Sequence, residues 1–432
     1  MLSRRRFTEL LALSGGTMLF PGRSAAQDHT PLGELGLTDA PLPQAPAQPD
    51  EGYWREVRSR FLVPPGLAFF NAANLCPMPL PVVNALDRFT REYEANPAPD
   101  VRARLMREGR EEARKLLAAG FRVSPEEIVI TRNTSEANNM VSSGLALGAA
   151  DEVVVFSDNH PSNLAAWREK ARRFGFTVTP VEHRSPHPGP EYYVDAFGKA
   201  LTSRTRVLAF THVTSAGDRL PAAELCRLAR ERGVLTLLDG AQTFGALDVD
   251  LSLIQPDFYS GSAHKWPCGP KETGVLYVNR AVHDRIWPSI VGLYQGAVGI
   301  SQKLEALGQR DDATYVALAE SLRFRQSVGA AAIERRGREL AMVLVDGLRR
   351  LPGVTLWTDP APSRSATIVV FRPGTLDPRR LGAALNERDK IVCAVRAGQD
   401  RPGLRISAHL YNTRDEIERL LSQLRKYLAS GV

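Results

Sequence analysis

The chain has 432 residues, too many for one small core and enough for a large domain with a smaller one beside it. Hydrophobic residues make up 43% and charged residues 24%, an ordinary balance for a soluble globular protein. The formal charge is +7, but in the first 26 residues Arg4, Arg5, Arg6 and Arg23 outweigh Glu9 by three, leaving +4. The remaining arginines are scattered along helical stretches instead of gathering with aromatics, which argues against nucleic-acid binding.

The amino terminus reads as an address. Ser3-Arg4-Arg5-Arg6-Phe7 is followed by a short, weakly apolar segment and then by Ser24-Ala25-Ala26, a pattern similar to a twin-arginine export signal cleaved after Ala26. The apolar segment is too short and too rich in glycine to span a bilayer, so no stable membrane insertion is expected. Twin-arginine machinery carries folded cargo, so a cofactor loaded in the cytoplasm would travel to the periplasm with the chain. Residues 27–65 are rich in Pro, Ala, Gln and Asp. The run "TDAPLPQAPAQPDEG" reads as an irregular N-terminal arm.

From about residue 120 short apolar strands alternate with amphipathic helices. "EIVITR" is followed by a helix opening at "NTSEANN", and "EVVVFS" by the helix "PSNLAAWREKARRFG". "FTVTPVEH" precedes a helix around "VDAFGKAL"; "TRVLAF" precedes "PAAELCRLARERG"; then come "VLTLLD", "DFYSGSA" and "GVLYVN". This alternation predicts a mainly parallel sheet covered by helices on both faces, in a large domain over 66–324. A smaller α+β domain is expected over 325–432. Its predicted elements are the helix "RRGRELAMVLVDGLRRL", the strand "TIVVFRP", the helix "DPRRLGAALNERD", the strands "IVCAVRA" and "GLRISAHLY", and a closing helix capped by Asn412 or Thr413.

Four cysteines, Cys76, Cys226, Cys268 and Cys393, include no C-x-x-C pair, so the spacing supports no zinc site or other metal, and it leaves any disulfide open. Cys226 lies on an apolar helical face and reads as core.

Ligands of open α/β sheets bind at the carboxyl ends of the strands. Those ends deliver Asn133, Thr134, Ser135 and Glu136; His160; Asp239 and Gln242; and Ser262, His264 and Lys265. Lys265 sits in "YSGSAHKWPCGP", a turn rich in glycine, serine and proline that a solvated lysine would not require. A lysine that bonds to an aldehyde does need a fixed position and a partly desolvated amine. Such a lysine, a carboxylate for a pyridine nitrogen, a flat side chain for stacking, and hydroxyls at a helix N-terminus for a phosphate are the parts of a pyridoxal 5'-phosphate site. Taken singly, each has a plainer reading: Asp239, Thr134 and Ser135 as caps, His160 as a turn residue, Lys265 and Arg405 as solvated or ion-paired surface groups. Those plainer readings would have to hold at several strand ends at once.

The run from "THVTSAGDRLPAAELC" through "LLDGAQTFGALDVDLSLIQPDFYSGSAHKWPCGPKETGVLYV" closely resembles the class V aminotransferases. Within them it is nearest the isopenicillin N epimerase-like group, and the similarity extends from about Asn71 to the closing helix. The resemblance implies a fold-type I enzyme, a three-layer α/β/α domain plus the small one, working as a homodimer with pyridoxal 5'-phosphate on a small amine or amino acid. It implies that Lys265 bonds the cofactor and moves protons at the substrate Cα, that Asp239 faces the pyridine nitrogen, and that Gln242 donates to the ring hydroxyl. Thr134, Ser135, Ser262 and His264 are expected to hold the phosphate, His160 to stack on the ring, and Thr314 to reach the phosphate of a neighbouring subunit. Arg405 is expected to clamp the substrate α-carboxylate, with Asn74 also at the substrate.

Two departures narrow the reaction. Cysteine desulfurases carry a nucleophilic cysteine just before the carboxylate-binding arginine, and here that loop, "RAGQDRPGLR", has none. Ser215 stands where many relatives have asparagine. Transamination and epimerisation are therefore favoured, acting on an amino acid or peptide-borne amine in natural-product or siderophore tailoring. Elimination from the side chain, as by a C–S lyase, is the alternative. A cofactor-binding protein without catalysis is disfavoured by the retention of Lys265, Asp239 and Arg405. Ser262-Ala263-His264-Lys265 also matches the S-x-x-K pattern of serine acyl-enzymes, but Pro267, Gly269 and Pro270 forbid the helix that motif needs.

Overall fold

Seven strands supply the frame that positions the site. The computed structural model describes residues 42, 44–293, 295–397 and 400–432. The signal expected over 1–26 and most of the arm lie outside the described residues. β1 (Ala68–Phe69) is followed by β2 (Ile128–Thr131), β3 (Glu152–Phe156), β4 (Thr177–Val181), β5 (Thr205–Thr211), β6 (Leu235–Asp239), β7 (Phe258–Ser262) and β8 (Gly274–Val278). β2 to β8 form one sheet in the order β2-β8-β7-β6-β5-β3-β4, in which only β8 runs against the others.

Alternation along each strand divides the core in two. Ile128, Ile130, Val154, Phe156, Leu208, Phe210 and Leu238 pack on one face of the sheet. Val129, Val153, Val155, Val207, Ala209, Leu235 and Leu237 pack on the other. Both sets are apolar because helices cover both faces, which is why the strands read as unbroken hydrophobic runs. β4 is the exception, with exposed positions and Pro180 in the ladder. It is an edge strand, where a missing N–H is tolerated.

β9 (Val354–Leu356), β10 (Ile368–Pro373), β11 (Ile391–Val392), β12 (Ala394–Arg396) and β13 (Gly403–Ser407) follow. Four of them form an antiparallel sheet in the order β12-β13-β10-β9, with its own core of Leu340, Leu344, Val369, Phe371, Leu404 and Ile417. The stretch expected as one strand, "IVCAVRA", is divided at Cys393: β11 pairs in parallel with β1, and β12 pairs antiparallel with β13. The position 324/325, expected as a domain boundary, lies inside the helix Asp312–Val328. The closing helix Arg414–Ser430 is capped by Thr413, in a reciprocal capping box with Glu416.

Part of the N-terminal half was not legible as regular structure. The helix Glu51–Arg58 begins at the end of the proline-rich run, capped by the Asp50 side chain. The helices Leu80–Ala95, Pro99–Leu105 and Glu112–Phe121 precede the first strand of the large sheet. Among the described residues, no helix is long and apolar enough to cross a membrane.

An ion pair closes the outer edge of β2. Arg114 and Glu305, both buried, form a double contact at 2.6 and 2.8 Å. Arg114 also donates to the Ile128 carbonyl at 2.7 Å, and Glu305 accepts from the Ile130 N–H at 2.5 Å. The pair thus satisfies backbone groups that the edge would leave open. Arg114 has a second carboxylate, Glu111, at 2.9 Å, whereas Glu305 pairs with no other cation among the described residues. Arg114→Ala therefore strands Glu305 away from solvent and is expected to lower stability by about 3–5 kcal/mol, read as a drop in the urea midpoint.

Candidate active site

The parallel strands end on one side of the sheet, and the residues expected there meet. Asp239 is the last residue of β6 and is buried. Its Oδ2 accepts from Asn138 Nδ2 at 2.9 Å and from Asn163 Nδ2 at 3.1 Å, and its Oδ1 accepts from the Ala241 N–H at 3.1 Å. Asn138 lies on the helix Thr134–Gly144 after β2, and Asn163 on the helix Pro161–Phe174 after β3. Ser260 donates to Asn138 Oδ1 at 2.7 Å, so the amide of Asn138 must turn its N–H toward Asp239. Three acceptor positions of the carboxylate are thereby filled by neutral donors, leaving capacity for one more. The glycine of "DGAQ" is required here, because a Cβ on Gly240 would collide with the Tyr259 ring.

Lys265 follows β7 by three residues. Its amine makes no hydrogen bond or ion pair among the described residues, although Asp239 acts on it electrostatically. Burial above all, and then the Arg405 charge, lower the Lys265 pKa, while Asp239 and Cys76 oppose the shift. This is a desolvated amine poised to shed its proton.

Thr134 opens its helix with the backbone N–H donating to Ser262 Oγ at 2.8 Å, and the two hydroxyls lie 2.7 Å apart. Ser135 is exposed at the same helix start. His264 is half-buried, and burial, with Lys265 and Lys271 nearby, brings its pKa down to about 4. His160 caps the helix Pro161–Phe174, its Nδ1 accepting from the Ser162 N–H at 3.2 Å. Its pKa is lowered by burial, Lys265 and Arg405 against the pull of Asp239, which places the ring in the field of the same three groups. Gln242 is engaged at both ends, donating to the Ala73 carbonyl at 3.0 Å and accepting from Trp266 Nε1 at 2.8 Å. One amide proton of Gln242 remains.

Arg405, on β13, donates to the Ser215 carbonyl and to Asn71 Oδ1, both at 3.3 Å. Its Nε is buried without a partner, and no carboxylate pairs with it among the described residues. Burial first, then Arg396, bring its pKa down to about 10. Asn74 is exposed, and the asparagine that reaches Arg405 is Asn71. Thr314 lies in the first turn of the helix Asp312–Val328, in a separate recess with Arg132 and Lys271, its hydroxyl bonded to the Asp311 carbonyl.

Other side chains converge that sequence order did not bring together. Cys76, Cys268 and His409 are buried with their donor atoms within 4.8 Å of one another. The backbone ties both cysteines to the lysine turn, through Cys76 N–H to the His264 carbonyl at 2.8 Å and Cys268 N–H to the Lys265 carbonyl at 2.9 Å. Spacing alone could not show this group, because its members come from three distant segments.

The donor set fits pyridoxal 5'-phosphate: a half-buried lysine amine without a partner among the described residues, a carboxylate with one acceptor position open, hydroxyls at a helix N-terminus, and an imidazole whose pKa is lowered. The chain matches the model of the aminotransferase class-V family over residues 68–420. It belongs to that family. It is 34% identical over 397 residues to isopenicillin N epimerase of Streptomyces clavuligerus, covering 86% of this chain and 97% of the relative. It is 30% identical to a probable cysteine desulfurase of Methanothermobacter thermautotrophicus, covering 84% and 95%. Among solved structures, a complex of the cystine C–S lyase C-DES with its reaction product cysteine persulfide matches with a TM-score of 0.77 at 25% identity, over 83% of this chain and 97% of that one. The chain is therefore a fold-type I, pyridoxal-phosphate-dependent class V enzyme.

Within that enzyme Lys265 would carry the cofactor, Asp239 would face the ring nitrogen, and Thr134, Ser262 and His264 would hold the phosphate. The cofactor supplies an electron sink for charge developing at the substrate Cα. Replacing Lys265 by Ala is expected to abolish the visible band of the lysine-bound cofactor while leaving the far-UV circular dichroism spectrum intact.

Beside the site, His212 donates its backbone N–H to the Asp239 carbonyl at 2.9 Å, and its Nδ1 has no partner. Burial, then Arg219, lower its pKa from 6.5 to about 3. On acidification the unfolded chain takes up this proton before the folded one, so His212 erodes stability as pH falls from about 6.5 to about 3. In His212→Gln the unfolding free energy should fall less steeply across that window, as read from urea titrations at stepped pH.

Proposed function

We propose that the enzyme acts at the Cα of an amino acid or peptide-borne amine, as an aminotransferase or an isopenicillin N epimerase-like enzyme. The observation that carries this reading is Arg405: a half-buried arginine whose buried Nε is open, with no carboxylate partner among the described residues, close enough to Lys265 to depress its pKa. A substrate α-carboxylate on Arg405 would set the adjacent Cα against an amine able to take its proton. Bidentate guanidinium–carboxylate geometry fixes orientation as well as charge. The surrounding neutral donors keep Asp239 in place.

A desulfurase is disfavoured because the cysteine nearest Arg405 in sequence, Cys393, is half-buried in a strand region with its thiol pushed up to about 12 by desolvation. Elimination needs no such thiol, so a C–S lyase remains the second reading, favoured by the match to the cystine C–S lyase. We further propose export by the twin-arginine route and a role in tailoring amino-acid or peptide natural products, siderophores included. That proposal rests on the N-terminal sequence pattern.

Incubation with amine donors in deuterated water tests the reaction. Deuterium at Cα with mixed chirality supports epimerisation, a keto product supports transamination, and ammonia with an unsaturated or oxo fragment supports elimination. No Cα exchange with any donor overturns the proposal. Arg405→Ala should raise KM for α-carboxylate substrates by the loss of a charge-assisted pair, about 1.5–3 kcal/mol. An unchanged KM would remove Arg405 from the substrate.

A further inference from the structure

Arg405 does not stand alone. β12 and β13 are antiparallel, with Ala394 opposite Arg405 and Arg396 opposite Gly403. Arg396 therefore lies on the same face as Arg405, as its diagonal neighbour. The two guanidinium groups converge on one residue: Arg396 Nη1 donates to Ser215 Oγ at 3.4 Å, and Arg405 Nη1 to the Ser215 carbonyl at 3.3 Å. Like charges so placed repel. Burial and a neighbouring cation lower both pKa values, Arg405 through Arg396 and Arg396 through Arg401, with Asp158, Asp400 and Asp218 opposing the shift at Arg396.

Three aspartates lie near Arg396, and none neutralises it. Asp158 and Asp218 both bind Arg401. Asp400 is half-exposed, lies 3.8 Å from Arg396 Nη2 and also contacts Arg401 Nε at 3.2 Å. Arg396 otherwise donates its Nε to the Arg401 carbonyl at 3.2 Å. A buried cation held beside Arg405 by a backbone carbonyl and a hydroxyl, with only a weak and shared carboxylate contact, has capacity to receive an acid.

We propose that Arg396 is the second anion-binding residue of this pocket, and that the preferred amine carries a side-chain carboxylate besides its α-carboxylate. The inference rests on the reading of Arg405 as the α-carboxylate clamp. Because both heads touch atoms of Ser215, one short dicarboxylate reaches both. Serine at 215 also matters, since it presents an acceptor to each arginine without a longer side chain between them.

Calorimetric titration of the cofactor-loaded enzyme with glutarate and with valerate, which share a five-carbon chain, tests this. Glutarate should bind about tenfold more tightly, the worth of one charge-assisted pair, and Arg396→Leu should bring the two to within about threefold. In spectral half-reactions the ratio of kcat/KM for acidic over neutral side chains should fall in parallel. Arg396→Lys, with a point charge in place of the fork, should keep part of the preference, and the visible cofactor band reports that each variant is folded and loaded. Equal affinity for glutarate and valerate, or a glutarate advantage that survives Arg396→Leu, overturns the proposal while leaving Arg405 in its role. If neither acid binds and no amine changes the cofactor spectrum, the α-carboxylate reading fails with it.

Discussion

The structure depends on holding one carboxylate dry without neutralising it. Burying Asp239 costs free energy unless its oxygens are satisfied. The fold meets that need with two asparagine amides and a backbone N–H, all uncharged. Each donor comes from a different segment, after β2, β3 and β6, so the arrangement exists only because parallel strands end at one level and their helices return across it. An arginine in place of either asparagine would satisfy the oxygens equally well and cancel the charge. Neutral donors leave the negative field of Asp239 directed at Lys265 and at whatever ring lies between them.

The arginines after β12 show the opposite choice. Arg401 is fully buried and bound to both Asp158 and Asp218, which joins the segment between β12 and β13 to strand ends of the seven-stranded sheet. Its charge is consumed in holding that segment down. Arg405, two strand positions beyond Gly403, meets only a carbonyl and an amide oxygen. The two residues are alike in type but differ in their partners, and the partners separate a structural arginine from one with capacity to bind.

Much of this was legible in the chain. β2, β3, β5, β6 and β8 are buried on both faces, so each appears as a short apolar run, and Lys265, Asp239 and Arg405 sit where those runs or their small-sheet counterparts place them. The missing parts share a physical cause. Asn138 and Asn163 lie inside helices on their buried faces, and a buried asparagine there is a signal only once its partner is known. Asn71 and Asn74 are three residues apart in a turn, and only the bridge between Asn71 and Ser407 settles which one reaches Arg405. Arg396 becomes visible through the register of β12 on β13. The helix Glu51–Arg58 is masked by the prolines before it, although Asp50 and the first-turn Glu51 are an ordinary helix start.

If Arg405 takes the substrate carboxylate as proposed, its placement ties substrate binding to proton transfer. In the free site its charge is one of the terms that depress the Lys265 pKa. An acid docked on Arg405 cancels that term, and a second acid on Arg396 would cancel the charge behind it. Proton affinity at Lys265 then rises as the anionic substrate arrives. Because coupling between sites is reciprocal, the substrate acid binds more tightly when Lys265 is protonated by the same factor. On that reading the amine becomes a stronger base when a Cα has been set beside it, and the cation proposed to orient the substrate is also one that adjusts the lysine.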